Sequence, residues 1–190
     1  MKTRTKVMVL GLVMAMVFCY AGTVGADSDS GTGAGASASV DLDFQIIIPS
    51  FIYFRVGSLL AAVDTITFSP SVNQVAAGAQ DIAGTGGDLT GGAVTVNLIS
   101  NGGPVTIGAN GNGGLSNGAN TIDFLTIDTI TSNPNLPAPS LSNGTTSSNP
   151  SSTGNITNLN SQWTYNFDMP SPIPEGGTYS GAVIYTAAIP

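Results

Sequence analysis

A chain of 190 residues with no histidine, one cysteine and four Lys or Arg lacks the usual general base and the commonest metal ligand. Eleven acids set the formal net charge at −7, which excludes phosphate neutralisation, and with it nucleic acid as a partner, and opposes anionic lipid headgroups. Lys, Glu and Arg, the strong helix formers of protein surfaces, are scarce, so composition alone argues against helices.

The chain opens with Lys2, Arg4 and Lys6, continues with an apolar run from Val7 to Ala21, and reaches Val24-Gly25-Ala26. A basic start, a short apolar stretch and an A-x-A-like site predict a cleaved secretory signal over residues 1–26. The run is shorter than the about 20 apolar residues of a spanning helix. Cys19 follows Phe18, where a lipoprotein signal would carry a small residue, and it leaves with the signal. Arg55 is then the only cation against eleven acids, a net of −10. Neither a disulfide nor a thiolate metal site survives. The expected location is outside the cell or on its surface, with no membrane span in the mature protein.

Residues 27–38 contain only Asp, Ser, Gly, Thr and Ala, which predicts a flexible linker. From Ser39 the pattern changes. Val40, Leu42, Phe44, Ile46 and Ile48 alternate with Asp41, Asp43 and Gln45, a period of two that predicts a strand with one buried face. Pro49 stops it, since proline cannot donate to a ladder. Further strands are expected over 51–56, 65–68, 93–99, 105–107 (the return strand after an Asn101-Gly102 turn), 122–130, 163–167 and 178–189. Glycine-rich loops fall at 84–92 and 108–118. The tract 131–160, with Pro134, Pro137, Pro139 and Pro150, reads as one long surface loop. Short strands between Gly, Asn and Pro turns predict an all-β fold, an antiparallel β-sandwich of immunoglobulin-like or pilin-like type, over 39–190, with little or no helix.

Candidate chemistry is thin, and no catalytic, cofactor-binding or metal residue is assigned. The many serines have neither His nor, after cleavage, Lys to activate them. Asp41 and Asp43, two apart on the polar face of a strand, are read as solvated charges rather than a glycosidase pair. Calcium, which needs only oxygen ligands, is the one cofactor to weigh. Gly84-Thr85-Gly86-Gly87-Asp88-Leu89-Thr90 is similar to the calcium-binding repeat of parallel β-helices, but it occurs once and is read as a turn. Asn143-Gly144-Thr145 and Asn155-Ile156-Thr157 match the glycosylation pattern, as an Asn- and Thr-rich chain does by chance.

The segment Gln162-Trp163-Thr164-Tyr165 together with Gly176-Gly177-Thr178-Tyr179-Ser180-Gly181-Ala182-Val183-Ile184-Tyr185-Thr186-Ala187 resembles the closing strands of secreted bacterial surface β-sandwiches. Pilin-like subunits, spore-coat-U-like proteins and, more loosely, WxL domains are of this kind. The resemblance covers roughly 30 residues. The disulfide of chaperone–usher pilins is missing, and Trp163-Thr164-Tyr165 only approximates a Trp-x-Leu pair. It implies a non-enzymatic structural subunit of a pilus-type fibre whose partners are copies of itself or related subunits. Strand 39–48 would then be an assembly strand, adding to a neighbour's sheet edge through Val40, Leu42, Phe44, Ile46 and Ile48. The competing reading makes the same residues the first strand of their own domain. A monomeric extracellular module recognising carbohydrate or a surface is the alternative function.

Overall fold

The computed structural model describes residues 28–59 and 63–190. The expected signal at 1–26, Cys19 included, lies outside the described residues. The fold divides into two units at the junction of Ile48 and Pro49.

In the first unit, Ala36 N–H closes a turn on Gly33 O (3.2 Å), and Asp29 accepts the Ser39 N–H at 3.0 Å. The strand expected over 39–48 does not form. Its apolar set is instead exposed: Val40 58%, Leu42 75%, Phe44 86%, Ile46 85% and Ile48 75%. A period of two states which face would be buried, whereas a strand exists only where a ladder satisfies its backbone. The first-strand reading therefore does not describe this structure.

The second unit opens with β1 (Ile52–Val56), followed by the short β2 (Ile66–Thr67). One turn of helix, α1 (Val72–Ala77), comes next. Ser71 and Gln74 close a capping box at its start and Gly78 ends it in the left-handed conformation. After β3 (Ile82–Ala83) and β4 (Thr85–Gly86) come the longer β5 (Ala93–Ser100) and β6 (Thr106–Asn110). The expected strand over 122–130 is divided. A short β7 (Leu115–Ser116) pairs with β8 (Thr121–Ile122), a 3-10 turn spans Phe124–Thr126, and β9 (Ile127–Thr131) resumes. Asp123 causes the break by accepting the Leu125 N–H at 2.8 Å, which caps the turn. Then follow β10 (Thr145–Ser148), β11 (Thr157–Phe167) and β12 (Ile184–Ala188).

All pairings are antiparallel. The larger sheet runs β1-β5-β11, with β9 along the far side of β11 and β3 taking over beside β11 where β5 ends. The smaller sheet runs β10-β6-β12. The Asn101-Gly102 segment is therefore not a hairpin turn: β5 already has a neighbour on each side, so the chain crosses to the other sheet and β6 pairs there. Val94, Val96 and Leu98 of β5 and Trp163, Tyr165 and Phe167 of β11 form the core with Val105, Ile107 and Ala109. This is the all-β, sandwich-like arrangement that the alternation predicts.

The tract 131–160 is more than a surface loop. It holds β10 and the start of β11, and it buries Leu136, Pro139 and Leu141. Leu136 O accepts the indole N–H of the fully buried Trp163 at 3.1 Å. A buried indole needs an acceptor, and this segment supplies it.

Candidate functional site

The chain enters the second unit through a clamp. Asn101 donates its side-chain amide to Pro49 O (3.0 Å), accepts the Phe51 N–H (2.8 Å), and returns its own N–H to Phe51 O (3.4 Å). One asparagine thus fixes both backbone groups of Phe51 just ahead of β1.

In β1, Ile52, Phe54 and Val56 pair with Ser100, Leu98 and Val96, the buried positions of β5, and so face the core. Tyr53 and Arg55 face outward beside Ile99 and Asn97. The Arg55 guanidinium donates to Asn97 Oδ1 (2.9 Å from Nε) and to Gly57 O (2.7 Å), and lies 4.0 Å from Asp88. Asn97 in turn donates to Asn160 on β11. Gly57 ends the strand at φ +85°, and a Cβ there would lie 2.0 Å from the Asp64 carboxylate. Asp64 is held below its ordinary range by the Ser58 hydroxyl and then the Ser58 N–H.

Burial around the sandwich is uneven. Core-facing residues of the central strands are nearly sealed, with Val96, Leu98, Ile107 and Trp163 at 0%. Those of β1 are not: Ile52 is 36% exposed, and Phe54 and Val56 are half-buried. On β12, Tyr185 and Ala187 are half-buried, as is Ile189 beyond it. Tyr165 and Tyr185 join the two sheets through a hydroxyl–hydroxyl bond of 3.0 Å, and Trp163 lies against Tyr185 with ring centroids 5.4 Å apart. Burial pushes both phenols up, Tyr185 to about 12.

Candidate cation ligands occur away from the glycine-rich motif. In that motif Asp88 accepts the Thr95 N–H at 2.7 Å and Leu89 N–H closes on Ala93 O, as a turn requires. Asp81, Asp128 and Asp168 instead bring carboxylate oxygens within 4.8 Å of one another. Asp168 accepts the Asp81 N–H at 2.7 Å, and Asp81 sits at φ +56°. With one oxygen each, three carboxylates supply three of the six to eight oxygens of a calcium shell. No spacing in the sequence announces this corner, because it arises from the register that sets Asn166 of β11 opposite Asp128 of β9. Asp41 and Asp43, the other pair weighed from the sequence, belong to the first unit.

Among the described residues no helix is long and apolar enough to cross a membrane. The chain matches no family model, no curated protein and no solved structure.

Proposed function

We propose that this chain is a non-enzymatic, secreted structural protein of a bacterial surface, a fibre or pilus-type subunit that assembles through β-strand edges and donates residues 39–48 to a neighbour. The observation that carries the reading is the exposed alternating face of that segment. Five apolar side chains at every second position stand 58–86% exposed, with no strand formed. Sequestering one such side chain from water is worth about 1.5–3 kcal/mol, and a strand added to an open edge gains its main-chain ladder as well. A contiguous exposed apolar face of this kind marks an interaction surface.

The test is electron microscopy of secreted protein beside a Phe44→Asp/Ile46→Asp variant. The expected result is filaments or discrete oligomers for the parent, and folded monomers of unchanged β-type circular dichroism for the variant. Both residues lie in the first unit, so the 49–190 sandwich keeps its own core. Unfolding of the variant, or assembly that survives the two charges, defeats the donor reading. A parent that stays monomeric points to the extracellular binding module instead, for which the exposed Phe51 and Tyr53 would be the contact aromatics.

A further inference from the structure

We infer that the acceptor for residues 39–48 is the free edge of β1 on a second copy of this chain, approached antiparallel with Asp43 opposite Arg55. The inference rests on the donor reading above and names the surface that receives the donor.

Edges come first. Among the described residues β1 pairs only with β5, and β12 only with β6. The two strands approach within 8 Å, Cα to Cα, with no ladder between them. The other outer strands are differently placed. The flank of β10 is engaged by the preceding segment, with Thr146 donating to Ser140 O and Ser148 to Pro137 O (2.7 Å). Beside β9, Leu136 and Thr131 close the neighbouring turn, the Thr131 hydroxyl donating to Leu136 O at 3.1 Å.

Burial points to the same flank. Core-facing residues of β1 and β12 are only half-buried, as are Ile66, Leu115 and Leu159, whereas those of β5 and β6 are sealed. An added apolar strand along β1 would complete the cover of Phe54 and Val56. Residues 39–48 have the period such a strand needs.

Register follows from side-chain chemistry, because residues directly opposite across a ladder share a face. Setting Asp43 opposite Arg55 antiparallel places Phe44 against Phe54, Ile46 against Ile52 and Leu42 against Val56, apolar on apolar toward the core. Outward it sets Gln45 beside Tyr53 and Ile47 beside Phe51, which accounts for the one apolar residue that breaks the donor's polar face. Arg55 is the only cation in residues 28–190, and it sits on this edge strand, facing outward. Its guanidinium has five donors, bonds Asn97 Oδ1 and Gly57 O, and lies 4.0 Å from Asp88, so the Asp43 carboxylate of a second copy would join an ion pair already on this edge.

Paired cysteines decide the matter, since Cys19 is the only native thiol. In a Cys19→Ser background, full chains carrying Asp43→Cys with Arg55→Cys, and separately Gln45→Cys with Tyr53→Cys, are exported and oxidised. The second pair leaves the Arg55 charge in place. The expected product is a ladder of disulfide-linked oligomers on a non-reducing gel in at least the second variant, collapsing to monomer on reduction. A cross-linked monomer with no ladder would place the donor on its own β1 and overturn the inference. Assembled protein with free thiols in both variants would also overturn it, while leaving the donor reading intact. The donor reading itself fails separately, if the Phe44→Asp/Ile46→Asp variant still assembles.

Discussion

Raising the pH tests the joint between the two sheets. Tyr165 on β11 and Tyr185 on β12 share one hydroxyl–hydroxyl bond, and both are pushed upward by burial, Tyr185 to about 12. In the unfolded chain each phenol titrates near 10. The folded state therefore holds its protons to higher pH than the unfolded state does. The stabilisation is complete below pH 10 and is lost as pH rises through the folded value. For Tyr185 alone, about two pH units correspond to roughly 2.7 kcal/mol, a large part of the about 5–15 kcal/mol that holds an ordinary domain. Urea unfolding followed by Trp163 fluorescence reads this directly, because the only tryptophan lies against Tyr185. With m near 1–3 kcal/mol/M, the midpoint should fall by about 1–3 M between pH 9.5 and 12. A Tyr165→Phe/Tyr185→Phe variant should be much flatter over that range. A flat parent, or a double variant that declines as steeply, refutes the argument.

Trypsin should leave residues 49–190 intact under native conditions, since Arg55 is the only Lys or Arg after residue 6 and its guanidinium is bonded within the sheet; rapid native cleavage at Arg55, seen by mass spectrometry, would show that β1 opens freely. Gly87→Ala should destabilise by about 1–3 kcal/mol in thermal or urea unfolding, because φ is +85° there and the new Cβ would lie 2.1 Å from Ala93 O; an unchanged midpoint would mean that the turn relaxes at no cost. Asp128→Asn should stabilise by up to about 0.5 kcal/mol at low salt, and less at high salt, by removing one of three crowded carboxylates; destabilisation in the same urea assay would show that the corner needs its charge.

Periodicity in the sequence placed the central strands because those strands have partners on both sides. Val94, Val96 and Leu98, and Trp163, Tyr165 and Phe167, alternate in sequence and are buried in the structure. The same rule names β12, where Tyr185 and Ala187 turn inward and Ile184 and Thr186 outward, although of the expected 178–189 only Ile184–Ala188 forms the strand and residues 178–183 contribute a single bridge at Ser180. It misses Leu136 and Leu141, because single apolar residues between prolines have no period, although Leu136 is fully buried. The helix α1 is too short for a 3.6 period to show, yet Ser71 and Gln74 spell its capping box. The crossing from β5 to β6 was hidden for a different reason. An Asn-Gly pair favours a turn but does not say which sheet receives the chain, and only the two occupied sides of β5 decide that.

The contrast between residues 39–48 and β5 bears on assembly. Both segments alternate with similar strictness, and both carry β-branched and large apolar side chains. One is sealed between β1 and β11, while the other stands exposed. Intrinsic preference cannot separate them, since strand propensity is largely a measure of fit to a half-buried surface. Availability of a partner can. A chain that leaves such a segment unpaired and exposed, behind a Gly- and Ser-rich stretch and ahead of a proline, presents apolar surface that would favour non-specific association. A net charge of −7 opposes that indiscriminate association through like-charge repulsion, and in residues 28–190 Arg55, beside Asp88, is the one cation towards which a second acidic chain would be attracted. Charge of this kind sets register and partner more than it adds affinity. Arg55→Gln should therefore slow assembly and blunt its salt dependence while leaving the folded unit intact. Light scattering at two ionic strengths measures it, and an unchanged rate and salt slope would remove Arg55 from the interface.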